Sequence, residues 1–585
     1  MSGGNLFVLS AVQLVLTAVP GIAAALLAMR LGARALPLLL ASALVGSGVA
    51  AMLVFWVFYL SPSLGAPSAY AIFFGSIGLA VWAWPAGTEQ RALLRRLRTP
   101  LALWVLGSLF VVFFGFLHGG TEAALETGGY RFSTAPNQMA SDNFIPWFFS
   151  DWIVGGSPSP PPIFEPGWHL SDRPPLQVGY IVSQRPFGWD LATLHVELIG
   201  VVAQQLWIVG LWAVLEAARV STRTRALVMV AALVSDVTVV NAFYVWPKLL
   251  AAAFALAALA LIIDRDAGLR SSATATVLFG ALCGLSYLAH GSTVFGLFPL
   301  LVLLLIRDLP SWRWLAAALA VALLLVLPWS AFQRYADPPG NRVVKWGLSG
   351  YTEIDDRGTA EAVVDAYREV GLGGALENKL RNFLTMAGVG PATDAEEMEW
   401  IHFHNAFDDS VDAVSDLWSG QVESAVSEIR ESRFSHLLWT VGLLILALPA
   451  IAVGALRGRI RAGPDWELAR VCAFVFAVGA VAWGLVMFGN VPGRAVVIAG
   501  SMVLPILAVA GLVAGLRATY PSLAPWLVGA NVVTVLLIYL PVLEPRPGTS
   551  FEAFNAIVAV TALAGFVAVA CGARWARWYP KEAAP

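Results

Sequence analysis

The sequence predicts an all-α protein that crosses the membrane many times, and three observations support this fold class. Hydrophobic residues account for 58% of the 585 residues and charged residues for only 13%, whereas soluble proteins carry about 25% charged residues. The hydrophobic residues form runs long enough to cross about 30 Å of hydrocarbon as helices. Arginines recur in the short connections between runs, as they do in cytoplasmic loops. The net charge of −2 argues against a nucleic-acid partner.

About fifteen transmembrane helices are predicted from these apolar runs. The runs lie near 6–29, 35–60, 68–86, 100–118, 191–217, 225–244, 248–263, 273–289, 292–306, 312–332, 437–456, 467–488, 495–516, 521–541 and 552–571. Two long polar loops interrupt them, and the chain therefore divides into five parts. These are membrane helices at 1–118, a first loop at 119–190, membrane helices at 191–332, a second loop at 333–436 and membrane helices at 437–585.

The predicted orientation follows from the excess of Lys and Arg in cytoplasmic loops. With fifteen spans, the basic connections all fall on the side of the C-terminus: Arg30, Arg34, Arg91, Arg95, Arg96, Arg98, Arg219, Arg223, Arg225, Arg457, Arg459, Arg461, Arg574, Arg577 and Lys581. This predicts an N-terminus outside, a C-terminus in the cytoplasm and both long loops on the extracytoplasmic face. The abundance of Ala, Val, Arg and Gly is typical of a high-GC bacterium, and we therefore expect the inner membrane of a bacterium.

The second loop is acidic, and its apolar residues recur at near-helical spacing. This spacing appears in segments 359–386 and 411–432. It predicts short amphipathic helices that lie along the membrane surface and contact membrane lipids.

In the first loop, Asp142-Asn143 comes just before an apolar segment with two aromatic residues, 144–147. A carboxylic acid in apolar surroundings has a raised pKa and can act as a general base. We therefore predict that Asp142 is catalytic. The alternative is a surface aspartate that caps the N-terminus of a short helix.

Further along the same loop lies the block from Asp172 to Leu176, which reads DRPPL. Its two prolines favour an extended backbone and disfavour a helical conformation at Arg173. An acid and a guanidinium are then held next to each other before an apolar segment. A fixed guanidinium suits a phosphate group, which it binds with two hydrogen bonds. A turn with a local Asp172–Arg173 ion pair is the alternative.

An acidic residue at the start of the first outer loop, followed by a D-[KR]-P-P-L block, resembles the GT-C glycosyltransferases. The nearest branch is that of the lipid A aminoarabinose transferases and protein O-mannosyltransferases. The matching positions are Asp142 and the DRPPL block, and the resemblance covers roughly residues 100–335. Asn143 departs from the second acid common in that branch, which leaves metal dependence open, with a divalent cation near Asp142 as one interpretation. The resemblance implies a GT-C-like fold and a polyprenyl-phosphate-linked sugar donor used on the outer face.

Basic residues near the outer ends of the spans are predicted to bind the donor phosphate together with Arg173. They are Lys248, at the head of an apolar helix, and Arg334, Arg342 and Lys345, which follow the tenth span. The alternative is contact with lipid headgroups, which end-of-span lysines commonly reach.

Two further residues are candidates: Arg494, which opens the thirteenth span, and His290, which lies at an outer turn. Packing is the alternative role for His290. The pair His402 and His404 is a weak metal pattern, because alternate residues share a side only in a strand.

Together these residues predict an inverting glycosyltransferase of the cell envelope. Asp142 would accept the proton of an acceptor hydroxyl on a glycan, lipid or protein. Arg173, Lys248 and either Arg334 or Arg342 would stabilise the leaving phosphate. Asp172 would orient Arg173 or contact the sugar. In a high-GC bacterium, cell-wall arabinan or mannan would be a plausible acceptor.

Two other functions stay open at this point. One is a flippase or transporter of lipid-linked glycans, whose polar residues would line a pathway through the membrane. Few acids or bases lie in the centres of the predicted spans; Glu197 and Asp236 are the main exceptions. The other is an O-antigen-type polymerase or ligase, which would share the architecture and the basic outer loops.

Overall fold

The computed structural model of the protein describes residues 3–85, 87–131, 136–156, 169–188, 192–266, 268–269, 272–307, 310–351, 356–387, 437–489, 501–540 and 551–572. Within these ranges, the side chains of residues 89, 128–131 and 136–142 are not described. The described residues form helices and their connections, with no strand among them. The predicted all-α class is confirmed.

The helices up to the first long loop and its return are α1 (Gly3–Arg30), α2 (Leu36–Leu60), α3 (Pro62–Trp82), α4 (Thr88–Gly115), α5 (Ala124–Arg131), α6 (Pro136–Gly155) and α7 (Leu176–Gln184). The central helices are α8 (Thr193–Gln204), α9 (Trp207–Ala217), α10 (Thr222–Leu233), α11 (Asp236–Phe243), α12 (Lys248–Ile263), α13 (Ala273–Ala289), α14 (Val294–Arg307) and α15 (Trp312–Ala331). The remaining helices are α16 (Arg342–Ser349), α17 (Thr359–Ala387), α18 (Ala447–Leu456), α19 (Pro464–Val486), α20 (Val503–Thr519), α21 (Leu523–Tyr539) and α22 (Ala553–Ala570).

Short turns of other helix types join some of these elements. Single 3-10 turns lie at Thr121–Ala123, Leu170–Asp172, Arg185–Phe187 and Gly291–Thr293, and a longer 3-10 segment, Trp439–Leu446, leads into α18. A π-helical turn, Phe332–Ala336, extends α15.

The lengths of these helices confirm a polytopic membrane protein. Within the described residues, nine helical segments are long and apolar enough to cross a membrane, or ten if α10 and α11 form one span bent by 54°. Five shorter apolar helices of 10–17 residues coincide with the other predicted spans. They are α12, α13, α14 with its preceding turn, α20 and α21. The number of fifteen spans therefore stays a prediction.

Helix α12 lies at the centre of the bundle. Every residue from Leu249 to Leu261 is at most 1% exposed, as expected for a helix that is apolar on all sides. Gly210 lets α9 approach the backbone of α12 at Ala253, where a Cβ atom would collide with the carbonyl oxygen. This packing fixes both ends of α12 in space, and Lys248 is its first residue.

The short helix α7 holds the DRPPL block at one end of the bundle. Nearly all of its residues are buried. At Gly179, a Cβ atom would lie 2.7 Å from the carbonyl oxygen of Ala51, so α7 packs directly on the backbone of α2. The residues just before α7 are therefore anchored to the rigid part of the bundle.

The second long loop forms a helix where the sequence predicts one. α17 spans residues 359–387 with a kink at Gly371, whose φ is 63°. Its second half exposes leucines at four-residue intervals: Leu372, Leu376, Leu380 and Leu384. On the opposite face, the Asn382 amide donates to the carbonyls of Gly484 and Met487 at the end of α19. The helix predicted at 359–386 is confirmed, its position along the membrane surface stays a prediction, and segment 411–432 lies outside the described residues.

Candidate functional site

Hydrogen bonds join the end of the first loop to the segment that follows α15. The carboxylate of Asp172 accepts hydrogen bonds from the backbone N–H of His169, at 3.0 Å, and from the Arg342 guanidinium, at 3.1 Å. The Asp172 side chain is 1% exposed and that of Arg342 is 13% exposed. Asp172 is thus bound inside the protein, which favours a positioning role over direct contact with a sugar.

Asp337 forms the second half of this connection. Its carboxylate pairs with His169 Nδ1 at 2.9 Å and accepts the Ser171 N–H at 2.7 Å. The Ser171 hydroxyl donates to the Asp337 carbonyl, and the Gln333 amide donates to the Ser171 carbonyl. We call His169, Ser171, Asp172, Asp337 and Arg342 the clamp. It brings together two segments that are about 165 residues apart in the sequence.

The clamp should respond to pH. The hydrogen bond to Asp337 raises the pKa of His169, although burial opposes the shift. Burial alone would raise the pKa of Asp337, but hydrogen bonds from His169 and Ser171 lower it below its usual value. Stabilisation from His169 is complete below about pH 6.5 and is lost as the pH rises through its folded-state pKa. Stabilisation from Asp337 is present above about pH 3.9 and is lost as the pH falls.

We therefore expect the clamp to be tightest between about pH 4 and pH 6.5 and to loosen towards pH 9. Hydrogen exchange at the Ser171 N–H, corrected for the intrinsic rate, measures this directly. The substitution His169→Asn keeps a donor that does not titrate, so the loosening above pH 6.5 should disappear. Unchanged loosening in His169→Asn would show that another group is responsible.

Next to the clamp, three groups surround the indole of Trp246. Arg173 has the predicted extended backbone, with φ −120° and ψ 121°, and its Cζ lies 5.1 Å from the indole centroid. Lys248 is fully buried, and its Nζ lies 3.4 Å from the same centroid. The His290 ring packs edge-on at a centroid distance of 5.8 Å. Cations within about 6 Å of an indole are attracted to its face. We call these four residues the Trp246 cluster.

His290 contributes a neutral N–H donor to this cluster. Burial lowers the pKa of His290 well below its usual value, and the charges of Lys248 and Arg173 lower it further. The Ser292 N–H donates to Nδ1, so Nδ1 carries the lone pair and the proton of the neutral ring lies on Nε2. Within the described residues, this buried Nε2 has no hydrogen-bond partner, and neither has Nε1 of Trp246.

The Trp246 cluster therefore contains two cations and two neutral N–H groups. Oxygen atoms of a phosphate accept several hydrogen bonds at once, and charged donors bind them most strongly. A buried histidine N–H and a buried indole N–H each gain a hydrogen bond when such an oxygen arrives. The arrangement is suited to an anion with several oxygens.

The remaining predicted residues lie in different surroundings. Asp142 lies on α6, but its side chain is outside the described residues, as is Arg494. Asn143 is fully buried and donates to the Leu125 carbonyl, which attaches α6 to α5. Lys345 is fully buried on α16, three residues after Arg342. Arg334 is exposed on the π-helical turn.

Sequence reasoning missed Trp246, His169 and Asp337. Asp337 stands before Pro338-Pro339, as the Asp172-Arg173 pair stands before Pro174-Pro175. This combination of an acid and two prolines, repeated in the two segments that form the clamp, was the available signal. Nothing in the sequence indicated that Trp246 rather than Lys248 would be the centre of the cluster.

Among the described residues, no group of three or more His, Cys, Asp or Glu side chains could hold a metal ion; His402 and His404 lie outside them. A cavity of about 1180 Å³ is present, but none of the predicted site residues lines it.

The chain was compared with known proteins by sequence and by structure. No protein-family model, no curated protein and no solved structure matches it.

Proposed function

We propose that the protein is an integral-membrane glycosyltransferase that moves a sugar from a polyprenyl-phosphate donor to an acceptor hydroxyl on the extracytoplasmic face. One observation carries the proposal: Arg173, Lys248 and His290 meet around Trp246, next to the clamp that holds Asp172. These three side chains supply hydrogen-bond donors for the phosphate of a lipid carrier at one end of the helix bundle. The GT-C-like fold, the fifteen spans and the bacterial inner membrane are parts of the same proposal.

In the proposed reaction, Asp142 removes the proton of the acceptor hydroxyl while its oxygen attacks the anomeric carbon. The bond between that carbon and the phosphate oxygen breaks with inversion, and polyprenyl phosphate leaves. Arg173 and Lys248 stabilise the negative charge that develops on the leaving group, and the Nε2–H of His290 donates to it. Asp172 and Arg342 act at a distance, because they hold the backbone that carries Arg173.

In this proposal, Arg334 and Lys345 add positive charge along the second outer segment. Arg494 is a further cation predicted on the outer face, and Asn143 attaches α6, which carries Asp142, to α5. A divalent cation bound by Asp142 is compatible with this proposal.

The substitution Lys248→Met tests the phosphate site. Methionine keeps the packing volume beside Trp246 and removes the charge. We expect sugar transfer from a labelled polyprenyl-phosphate donor in proteoliposomes to fall by on the order of 100-fold, with weaker donor binding. The control Arg381→Met removes an exposed outer cation from α17 and should leave transfer unchanged. Equal activity of Lys248→Met and wild type would contradict the assignment.

A flippase or transporter is the second candidate, and the bent pair α10–α11 favours it. The two helices meet at a bend of 54°, and Asp236, which is 1% exposed, begins the second half. Transporters often place polar groups at such breaks. Movement of the intact labelled lipid across the vesicle, without incorporation of sugar into an acceptor, would favour this alternative.

A further inference from the structure

The Trp246 cluster lies at one end of α12 and α13, and the cavity of about 1180 Å³ lies at the other end of both helices. α12 begins at Lys248, in the cluster, and ends next to Asp264, which lines the cavity. α13 begins beside Thr274, another lining residue, and ends at His290. At 1.5 Å per residue, the two sites are about 24 Å apart along α12. The cavity is therefore separate from the proposed transfer site.

The walls of the cavity are apolar, and one side is open. Small and branched side chains of α1 and α2 form most of the wall: Ala23, Ala24, Leu27, Val45, Val49 and Leu53. The lining residues on α2 extend from Leu36 to Leu53, about 26 Å of helix, which exceeds the thickness of one hydrocarbon leaflet, about 15 Å. At the edges, Leu31 and Leu53 are 78% and 52% exposed. These dimensions fit an acyl chain that enters from the side.

Charged residues close one end of the cavity. Arg96 and Arg225 both bind the single carboxylate of Glu216, and Arg219 pairs with Asp266. Arg34 donates to the carbonyls of Met29 and Ala33 at the end of α1. In the lining as a whole, four arginines face three carboxylates: Arg34, Arg96, Arg219 and Arg225 against Glu216, Asp264 and Asp266. The end of the cavity therefore carries a net positive charge.

We propose that this cavity binds an anionic phospholipid of the cytoplasmic leaflet. Its acyl chains would lie against α1, α2 and α3, and its phosphate would lie at the end lined by arginines. These arginines belong to the short connections that the positive-inside rule assigns to the cytoplasm. Basic pockets between transmembrane helices on that side bind anionic headgroups, and the cytoplasmic leaflet is rich in them. A lipid site of this kind is independent of the proposed sugar transfer.

Native mass spectrometry of the full-length protein, titrated with phosphatidylglycerol or phosphatidylcholine, tests the proposal. We expect phosphatidylglycerol to bind more tightly. The double substitution Arg34→Ala/Arg96→Ala should weaken its binding by on the order of tenfold, while Glu216 keeps Arg225 as its partner. The control Arg91→Ala/Arg95→Ala removes two arginines of the same face that do not line the cavity and should leave binding unchanged.

A second pair of variants tests the apolar wall without changing charge. Ala50→Phe places a ring into the cavity, whereas Ala71→Phe adds the same ring at an exposed position of α3 outside it. Only Ala50→Phe should reduce the stoichiometry of bound phosphatidylglycerol. Equal binding of the two lipids, or equal losses in the cavity variants and their controls, would overturn the proposal.

Discussion

Replacing Asp142 by asparagine should abolish sugar transfer while the protein stays folded. Asparagine has nearly the same shape but cannot accept the proton of the acceptor hydroxyl, and loss of a general base lowers kcat by about 10²- to 10⁴-fold. Because the proposal places the donor phosphate at the Trp246 cluster, donor binding should persist. Single-turnover transfer from a labelled polyprenyl-phosphate sugar, measured together with donor binding, separates the two effects.

Asp151 provides the matched control for this substitution. It lies on the same helix, α6, and is exposed, so Asp151→Asn should retain wild-type transfer. If Asp142→Asn kept most of its activity, the base would have to be another group. If it lost donor binding as strongly as turnover, Asp142 would be part of the binding site and not the base.

Replacing Asp172 by alanine should destabilise the protein strongly. The substitution removes the carboxylate that binds the Arg342 guanidinium, which is 13% exposed, and with it the acceptor of the His169 N–H. Breaking a buried ion pair in this way costs about 3–5 kcal/mol. Thermal unfolding in detergent should show a lower Tm, and transfer should fall because Arg173 is no longer positioned.

A double-mutant cycle distinguishes the ion pair from a general packing defect. In Asp172→Ala/Arg342→Ala both members of the ion pair are removed, so part of the lost stability should return. Glu377→Ala, which breaks the exposed pair with Arg381 on α17, should change the free energy of unfolding by less than about 1 kcal/mol. Additive losses from Asp172→Ala and Arg342→Ala would contradict the importance of their contact.

Much of the fold could be predicted because the bilayer imposes a simple rule on sequence. Helices must satisfy their own backbone hydrogen bonds in hydrocarbon, so apolar runs such as 35–60 translate directly into helices such as α2. Capping and bending are less regular. α10 and α11 lie within one apolar run near 225–244, but the chain bends at Val234-Ser235, where polar side chains bind backbone carbonyls.

The candidate site was predicted only in part, because its contacts join distant segments. The extended backbone at Arg173 follows from the two prolines after it and could be predicted locally. The neighbours of Arg173 could not be predicted in this way, because the indole of Trp246 and the ring of His290 come near Arg173 only through the packing of α7, α12 and α13. The ionic partner of Asp172 likewise lies 170 positions away, at Arg342, which no local pattern indicates.

The most direct measurement of the central claim is a structure of the protein with a bound polyprenyl-phosphate sugar analogue. We expect the phosphate within hydrogen-bonding distance, about 3 Å, of Arg173, Lys248 and His290 Nε2, with the sugar directed towards α6. A phosphate bound instead among the arginines at the other end of α12, with the Trp246 cluster unchanged, would contradict it.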